Sequence, residues 1–224
     1  MAVHKVDELI DQQVRRWQTA QAEAQGPVRG TSVAVSRLPF SGAEEVAHGL
    51  GGRLGYGVFG RQIVDQIAEE EGVSKTLVAG MDEHVESAID RHVIDGFSRR
   101  KFTESDYLRD AVRIVSTLGM RGRTVVLGRG GASVLPQADT LRVLVVAPKE
   151  ARQKRLAELD GISIDAAAER LEHADSQRAE FWRTNFNTDY LDPTSHDVVV
   201  NSESLGVAAC VDVLAEAFSK KFES

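Results

Sequence analysis

The sequence has few of the features that mark secreted, membrane or nucleic-acid-binding proteins. It contains one cysteine, Cys210, which excludes an intrachain disulfide and a thiolate metal cluster and is typical of a reducing compartment such as the cytoplasm. It has no run of about 18 or more apolar residues and no apolar signal-peptide core, so we predict neither a membrane span nor export. Acidic side chains (34) outnumber basic ones (27), and the net charge of -7 predicts no general affinity for nucleic acid.

The first 30 of the 224 residues are predicted to be an appendage to one main domain. Apolar side chains recur there at helical spacing, which predicts an amphipathic helix. This helix would dock either on the body of the protein or on a second subunit, and in the second case the protein would be a homodimer. The stretch "QAEAQGPVRG" that follows has the composition of a linker. The apolar positions are Val6, Leu9, Ile10, Val14 and Trp17.

Five later segments have the apolar, β-branched composition of buried strands, and helical patterns separate them. Strands that alternate with helices predict a three-layer α/β domain, over residues 31–220, with a parallel sheet between two layers of helices. The predicted strands cover residues 31–35, 56–60, 124–128, 141–147 and 197–201, of which 56–60 is the weakest. The predicted helices cover 43–53, 61–71, 81–118 as a pair broken near Phe102, 148–159, 163–183 and 206–219.

The loop after the first strand lies where α/β proteins commonly bind phosphates. A standard phosphate loop reads G-x-x-x-x-G-K-[ST], and its backbone N–H groups surround the anion at the start of a helix. Here residues 36–43 read "SRLPFSGA", with no lysine and one glycine, Gly42. We interpret the loop as a modified phosphate cradle in which Arg37 stands in for the lysine.

Arginines follow the other long strands as well. Arg129 comes after the strand at 124–128, and Arg152 and Arg155 lie in the helix that follows the strand at 141–147. Because ligands of parallel sheets bind outside the carboxyl ends of the strands, and because guanidinium groups bind phosphates bidentately, this placement predicts nucleotide phosphates as the ligand. A further polar cluster on the next predicted helix would close over that ligand: Arg170, Asp175, Arg178 and Arg183.

Three motifs in this order resemble the cytidylate kinase-like family, relatives of nucleoside monophosphate kinases in the P-loop NTPase class. They are G-R-G after a strand (128–130), A-P-x-E-x-R-x-x-R (147–155) and D-x-x-R-x-x-F/Y (175–181). The likeness covers roughly residues 31–218. It implies a P-loop kinase fold of about five strands, with a helical insertion at 56–120 over the acceptor and a lid at 160–190 over the donor.

The resemblance also implies roles for individual residues. The loop would hold the donor phosphates, Arg129 would contact the acceptor phosphate, and ATP and Mg²⁺ would be the cofactors, with the Ser41 hydroxyl as a metal ligand. The implied catalytic residues are Arg37, Arg129, Asp175, Arg178 and Arg183. The implied nucleotide-binding residues are Ser36, Arg37, Ser41, Gly42, Arg152 and Arg155.

The sequence departs from the family pattern on both sides of this site. Phe40 stands where the family loop has its first glycine, and Ala43 replaces the last one. A side chain held at positive φ costs about 1 kcal/mol or more, so we expect a loop of different shape. Phe59 and Gly60 replace a tyrosine-aspartate pair, so we expect no acidic group on the acceptor side.

Together these features predict an ATP-dependent phosphotransferase acting on a small phosphorylated acceptor such as CMP. Two other interpretations stay open. The altered loop favours a nucleotide-binding sensor or regulatory protein with little or no kinase activity. The amphipathic N-terminal helix favours an interaction protein whose old site is empty.

Overall fold

The computed structural model describes residues 2–24, 30–69, 93 and 106–222, and its elements are numbered here in chain order within those ranges. Five strands form one parallel sheet in the order β2-β3-β1-β4-β5. They are β1 (Ser32–Arg37), β2 (Gly57–Phe59), β3 (Thr124–Leu127), β4 (Thr140–Val146) and β5 (Val198–Asn201). The predicted parallel sheet is confirmed, and each strand lies where its β-branched segment was predicted.

Helices precede or follow every strand. They are α1 (Ala2–Ala24), α2 (Ala43–Leu54), α3 (Arg61–Glu69), α4 (Asp106–Arg121), α5 (Gly131–Val134), α6 (Lys149–Asp160), α7 (Ile164–Phe186) and α8 (Ser202–Phe222). The last helix begins earlier than predicted and is interrupted at Gly206, where φ is 76°. Of the helix pair predicted over 81–118, only Val93 and the part from residue 106 onward lie within the described residues. None of the helices in these ranges combines the length and apolar character needed to cross a membrane.

The sheet separates two apolar cores, which confirms the three-layer α/β architecture. On one face, α2 and α8 pack over β1 and β4, with Leu50, Cys210 and Leu214 fully buried. On the other face the core includes side chains of α1, α3, α4 and the end of α7, such as Ile10, Leu118 and Trp182. A third, small cluster lies between α6 and α7. The boundaries proposed for an insertion at 56–120 and a lid at 160–190 stay predictions.

Helix α1 docks on the body of its own chain. Ile10 and Trp17 are buried, and the indole Nε1 of Trp17 donates a hydrogen bond to the carbonyl oxygen of Gly122 at 2.8 Å. The guanidinium of Arg121 lies 4.3 Å from the centre of the Trp17 ring. The side chain of Val6 lies outside the described residues. A homodimer through this helix stays a prediction, and it would have to use the part of α1 that these contacts leave exposed.

The central strand sets the position of the site. Strand β1 pairs with β3 from Ser32 to Val35 and with β4 from Ser32 to Arg37. Because all three strands are parallel, their carboxyl ends lie along one edge of the sheet. The loops that leave β1, β3 and β4, and the helices α2, α5 and α6 that follow them, therefore begin side by side.

Candidate functional site

The loop between β1 and α2 leaves backbone N–H groups at the start of a helix. The first helical hydrogen bond runs from the N–H of Val46 to the carbonyl of Gly42 at 3.2 Å, so the N–H groups of residues 43–45 have no acceptor within the helix. Gly42 caps the helix with φ 72° and without a side-chain hydrogen bond. The hydroxyl of Ser202 donates to the carbonyl oxygen of Ser41 and so anchors the loop to the end of β5. These N–H groups and the helix dipole make this end of α2 suited to an anion.

Phe40 adopts the left-handed backbone conformation that was expected to strain this loop. Its φ is 60°, in the region that glycine occupies without cost. The half-buried Phe40 ring packs against the small cluster between α6 and α7, which contains Leu156 and Leu171. Burial of the ring offsets the backbone strain and attaches the loop to α6 and to α7, of which α7 lies in the predicted lid region.

Most of the predicted site residues line one cavity. It has a volume of about 670 Å³, within the range of small-molecule sites, and lies over the β1–α2 loop. The predicted residues that line it are Ser36, Arg37, Ser41, Gly42, Arg129, Arg155 and Arg178. Arg61, Phe181 and Trp182 also line it, and none of these was among the predicted site residues. The expectation that guanidinium groups from separate strand ends gather at one place therefore matches the geometry.

The residues that line this cavity include five arginines and two carboxylates, Glu44 and Glu45. Burial, followed by the charge of Arg178, lowers the pKa of the Arg37 guanidinium to about 10, and the charges of Arg129 and Arg61 add to the effect, while Glu44 opposes it. The Nη1 atom of Arg37 is buried without a hydrogen-bond partner. Burial also lowers the pKa of Arg178, whose Nη1 donates to the carbonyl oxygen of Arg37 at 3.3 Å. Such a cluster is stabilised when an anion binds.

Arg152 and Asp175 lie outside the cavity and pair with each other. The Arg152 Nη1 and Nη2 atoms donate to the two carboxylate oxygens of Asp175 at 2.8 and 3.0 Å, and Nη1 also donates to the carbonyl of Pro39 at 3.3 Å. The pair thus joins α6, α7 and the phosphate loop. Arg183 is exposed and does not line the cavity, although it lies on the same helix as Arg178. The predicted roles of Arg152 in nucleotide binding and of Asp175 in catalysis stay predictions.

The expectation of no acidic group on the acceptor side is wrong. Helix α3 begins directly after β2 and carries Arg61 and Asp65 four residues apart. The Asp65 Oδ2 atom lies 2.5 Å from Nη2 of Arg129 and 3.5 Å from Nε of Arg61. The carboxylate was sought at position 60, at the strand end, whereas it comes from the next helix. The signal that could have found it was the i, i+4 pair of opposite charges in a helix that leaves the same edge of the sheet.

A metal ligand is available at Ser41. Its hydroxyl is buried and has no hydrogen-bond partner. Within the described ranges, histidine, cysteine and acidic side chains form no cluster of three that could hold a metal by themselves. The unpaired Ser41 hydroxyl fits Mg²⁺, which commonly takes few protein oxygens and completes its coordination with substrate phosphates and water.

Comparisons with known proteins show which family the chain belongs to. The sequence model of the cytidylate kinase-like family matches residues 32–204. A cytidylate kinase of Ignicoccus hospitalis is 29% identical over 189 residues, which cover 82% of this chain and 96% of the relative. A cytidylate kinase of Methanopyrus kandleri is 23% identical over 195 residues, which cover 85% of this chain and 94% of the relative.

A solved structure supports the fold independently. The crystal structure of an uncharacterized protein from Eubacterium ventriosum superposes with a TM-score of 0.68 and covers 85% of this chain and 98% of the other, at 14% identity. The family match spans β1 to the start of α8 and includes the loop, the arginines and the lid region predicted from the sequence. The chain belongs to the cytidylate kinase-like family and has its P-loop kinase fold.

Proposed function

We propose that the protein is an ATP-dependent phosphotransferase that acts on a small phosphorylated acceptor, with a nucleoside monophosphate such as CMP as the first candidate. The observation that carries the proposal is the convergence of Arg37, Arg129, Arg155 and Arg178, from four separate elements, around one cavity at the start of α2. Membership of a family of nucleotide kinase-type phosphotransferases supports it. Two relatives that match over more than four fifths of the chain are named cytidylate kinases, which makes CMP the first acceptor to test.

Residues in different parts of the cavity would have different roles. The N–H groups at 43–45 and the guanidinium groups of Arg37, Arg155 and Arg178 would bind the donor phosphates. Arg129 would bind the acceptor phosphate, one of whose oxygens attacks the γ-phosphorus of ATP as the bond to the β-phosphate oxygen breaks. Mg²⁺, held by Ser41 and the phosphates, would supply positive charge at the transferring group. Phosphoryl transfer of this kind needs positioning and charge stabilisation and no covalent intermediate.

A second function is favoured by the loop itself. Phe40 has a left-handed backbone conformation that glycine would adopt without cost, and no lysine follows Gly42. These alterations favour a protein that binds nucleotides as a sensor or regulatory subunit with little or no transfer. The two functions share the binding site and differ only in turnover.

Two measurements separate these functions. Thermal unfolding with ATP, CTP, CMP and AMP detects binding, because a ligand at 100 times its Kd adds about 2.7 kcal/mol to the free energy of unfolding. A coupled assay of ADP release over a panel of phosphorylated acceptors then detects transfer. Stabilisation by ATP without ADP release would identify the sensor, and no stabilisation by any nucleotide would refute both proposals.

Arg37→Ala tests the site itself. The substitution removes a buried guanidinium that faces other cations, so we expect it to weaken ATP binding by more than tenfold, as loss of a charge-assisted contact of about 1.5–3 kcal/mol implies. Arg53→Ala is the matched control, because Arg53 is exposed at the opposite end of α2. Equal ATP affinity of the two variants in calorimetry would contradict the assignment of Arg37.

A further inference from the structure

Two carboxylates lie at the place where the proposed function puts the donor phosphates. Glu44 and Glu45 are exposed in the first turn of α2, and both line the main cavity. Acidic side chains are common at a helix start, because they interact favourably with the helix dipole. Here, however, a phosphate bound at the N–H groups of residues 43–45 would lie close to them and would be repelled. A cavity that takes up ATP therefore needs a cation to separate these like charges.

Glu44 occupies the position of the metal-binding residue in a standard phosphate loop. In G-x-x-x-x-G-K-[ST] the lysine directly follows the last glycine, and the next residue is the serine or threonine whose hydroxyl binds Mg²⁺. Gly42 takes the place of that last glycine in this chain, so Ala43 takes the place of the lysine and Glu44 that of the serine or threonine. The chain thus has a carboxylate where the standard loop has a hydroxyl.

A second oxygen without a partner lies next to this carboxylate along the chain. Ser41 is 1% exposed, lines the same cavity, and has a hydroxyl with no hydrogen-bond partner. Glu44 forms no ion pair with a basic side chain in the part of the chain that the structure describes. Mg²⁺ prefers oxygen ligands and is commonly bound by one or two carboxylates together with substrate phosphates. Ser41 and Glu44 supply oxygens of this kind at the start of α2.

Glu44 and Glu45 differ in their relation to the centre of the site. Consecutive helical residues point about 100° apart around the helix axis, so the two carboxylates face different parts of the cavity. The charges with the largest effects on the pKa of Arg37 include that of Glu44, which raises it, and do not include that of Glu45. Glu44 therefore lies on the side of α2 that faces the end of β1.

We propose that Glu44 is a metal ligand, together with Ser41, and that it makes the cavity select the Mg²⁺ complex of ATP over the free nucleotide. This inference rests on the proposed function. When Glu44 and the phosphates bind the same cation, the repulsion between them is replaced by attraction of both to the metal. Without the metal, the carboxylate opposes the binding of the phosphates to the nearby guanidinium and N–H groups. Glu44 thus restricts ATP binding to the form that can transfer its phosphoryl group.

The test measures how strongly nucleotide binding depends on the metal. Calorimetry gives the affinity of the full chain for the non-hydrolysable ATP analogue AMP-PNP, once with Mg²⁺ and once with EDTA. We expect the ratio of the Mg²⁺ affinity to the EDTA affinity to fall by about tenfold or more in Glu44→Gln, since loss of even an outer partner of a metal site costs about 10- to 100-fold in metal affinity. Glu44→Gln should also bind AMP-PNP more tightly than the wild type in EDTA, and such a gain cannot come from a loss of structure.

Glu45→Gln is the matched control. It removes the same charge from the next residue of the same helix turn, and that residue lines the same cavity. We expect it to leave the ratio of the two affinities close to the wild-type value. Mn²⁺, which suits the same oxygen ligands as Mg²⁺, gives a direct measurement of ligation. The electron paramagnetic resonance spectrum of Mn²⁺ bound with AMP-PNP should change in Glu44→Gln and stay unchanged in Glu45→Gln.

The outcomes distinguish the two proposals. If the wild type binds AMP-PNP neither with Mg²⁺ nor with EDTA, the proposed function is refuted. If the wild type binds AMP-PNP but Glu44→Gln keeps the wild-type ratio and the wild-type Mn²⁺ spectrum, the role of Glu44 is refuted and the proposed function stands. An equal fall of the ratio in Glu45→Gln would likewise refute the role of Glu44, because the effect would then be that of any negative charge at this helix start.

Discussion

The guanidinium group of Arg155 lies against the backbone of Gly42. A Cβ atom added at Gly42 would be 2.0 Å from Nη1 of Arg155, closer than any real contact. Arg155, on α6, thus places a positive charge beside Gly42 at the start of α2. In a standard phosphate loop the lysine directly follows the glycine at this position. Arg155, together with Arg37, is therefore placed to supply the charge that the loop lacks.

Gly42→Ala should lower both stability and nucleotide affinity. Its φ of 72° costs an alanine about 1 kcal/mol, and the new methyl group would displace Arg155. We expect ATP affinity to fall about tenfold in calorimetry, because the displaced cation no longer meets the phosphates. Gly52→Ala, in the helix that Gly42 caps, is the control. An added Cβ atom at Gly52 would meet no atom within 4 Å beyond the backbone of its own helix, so this substitution should leave stability unchanged or raise it slightly.

The Arg155→Ala background separates the two effects of Gly42→Ala. There the methyl group has no guanidinium to displace, so only the backbone strain of about 1 kcal/mol should remain and ATP affinity should not fall further. An equal further loss of affinity in both backgrounds would show that Gly42→Ala acts without Arg155.

Phe40 offers a test of strain in the phosphate loop. Both Phe40→Gly and Phe40→Ala remove the ring from the cluster between α6 and α7, but only glycine accepts a φ of 60° freely. We expect Phe40→Gly to be more stable than Phe40→Ala by about 1 kcal/mol in urea unfolding. The control is Glu158, an exposed position within a helix. There Glu158→Ala should be more stable than Glu158→Gly, because alanine favours a helix by about 1 kcal/mol over glycine. Equal stability of the two Phe40 variants would rule out strain at this position.

The sheet was predictable because β-branched runs and helical patterns alternate clearly, and because parallel strands bring their carboxyl ends to one edge. That topology alone places Arg37 and Arg129 together. It does not decide which of Arg152 and Arg155 reaches the cavity, since residues three apart lie on the same face of a helix, about 60° from each other. The packing of α6 against α7 makes that choice: it buries Arg152 and leaves Arg155 over Gly42.

Asp65 was missed for a related reason. The family pattern places its acidic residue at the end of β2, where this chain has Phe59 and Gly60, whereas Asp65 lies in the helix that follows. The contact to Arg129 joins residues 64 positions apart, and only the pairing of β2 with β3 brings them together. Arg183 was predicted for the site because it lies in the predicted lid segment, but five residues beyond Arg178 it lies outside the cavity.

The ion pair between Arg152 and Asp175 should stabilise the protein. The Arg152 side chain is 6% exposed and that of Asp175 is 30% exposed, so Asp175→Asn leaves a largely buried guanidinium without its counter-charge. We expect a loss of about 2 kcal/mol in the free energy of unfolding, below the value for fully buried pairs because Asp175 is partly solvated.

Two further variants check this interpretation. The double variant Arg152→Met with Asp175→Leu should recover part of the loss, because no unpaired buried charge remains. Asp160→Asn breaks the exposed contact with Arg170 and should change stability by less than about 0.5 kcal/mol. A loss in Asp175→Asn no larger than in Asp160→Asn would mean that the pair does not stabilise the fold.

His196 is buried in its neutral form beside the end of the lid region. It lines a second cavity of about 260 Å³, which shares Trp182 with the main cavity. Its Nδ1 atom lies 3.0 Å from the carbonyl oxygen of Asp192, and because a carbonyl can only accept, Nδ1 carries the proton. The Nε2 atom is buried without a hydrogen-bond partner. Burial lowers the pKa of His196, and the charge of Arg142 lowers it further, although the hydrogen bond to Asp192 opposes the shift.

This arrangement predicts a loss of stability in mild acid. The folded-state pKa of His196 lies below the unfolded value of about 6.5, so the unfolded chain binds more protons and the free energy of unfolding falls as the pH drops from 7 to 5. His196→Asn keeps a donor for the Asp192 carbonyl but cannot titrate, so its stability should fall less over that interval in urea unfolding. His48→Asn, at an exposed position on α2, should fall as the wild type does. The substitution removes the protonation of a buried imidazole. If His196→Asn lost as much stability between pH 7 and 5 as the wild type, the acid sensitivity would therefore have to come from other groups.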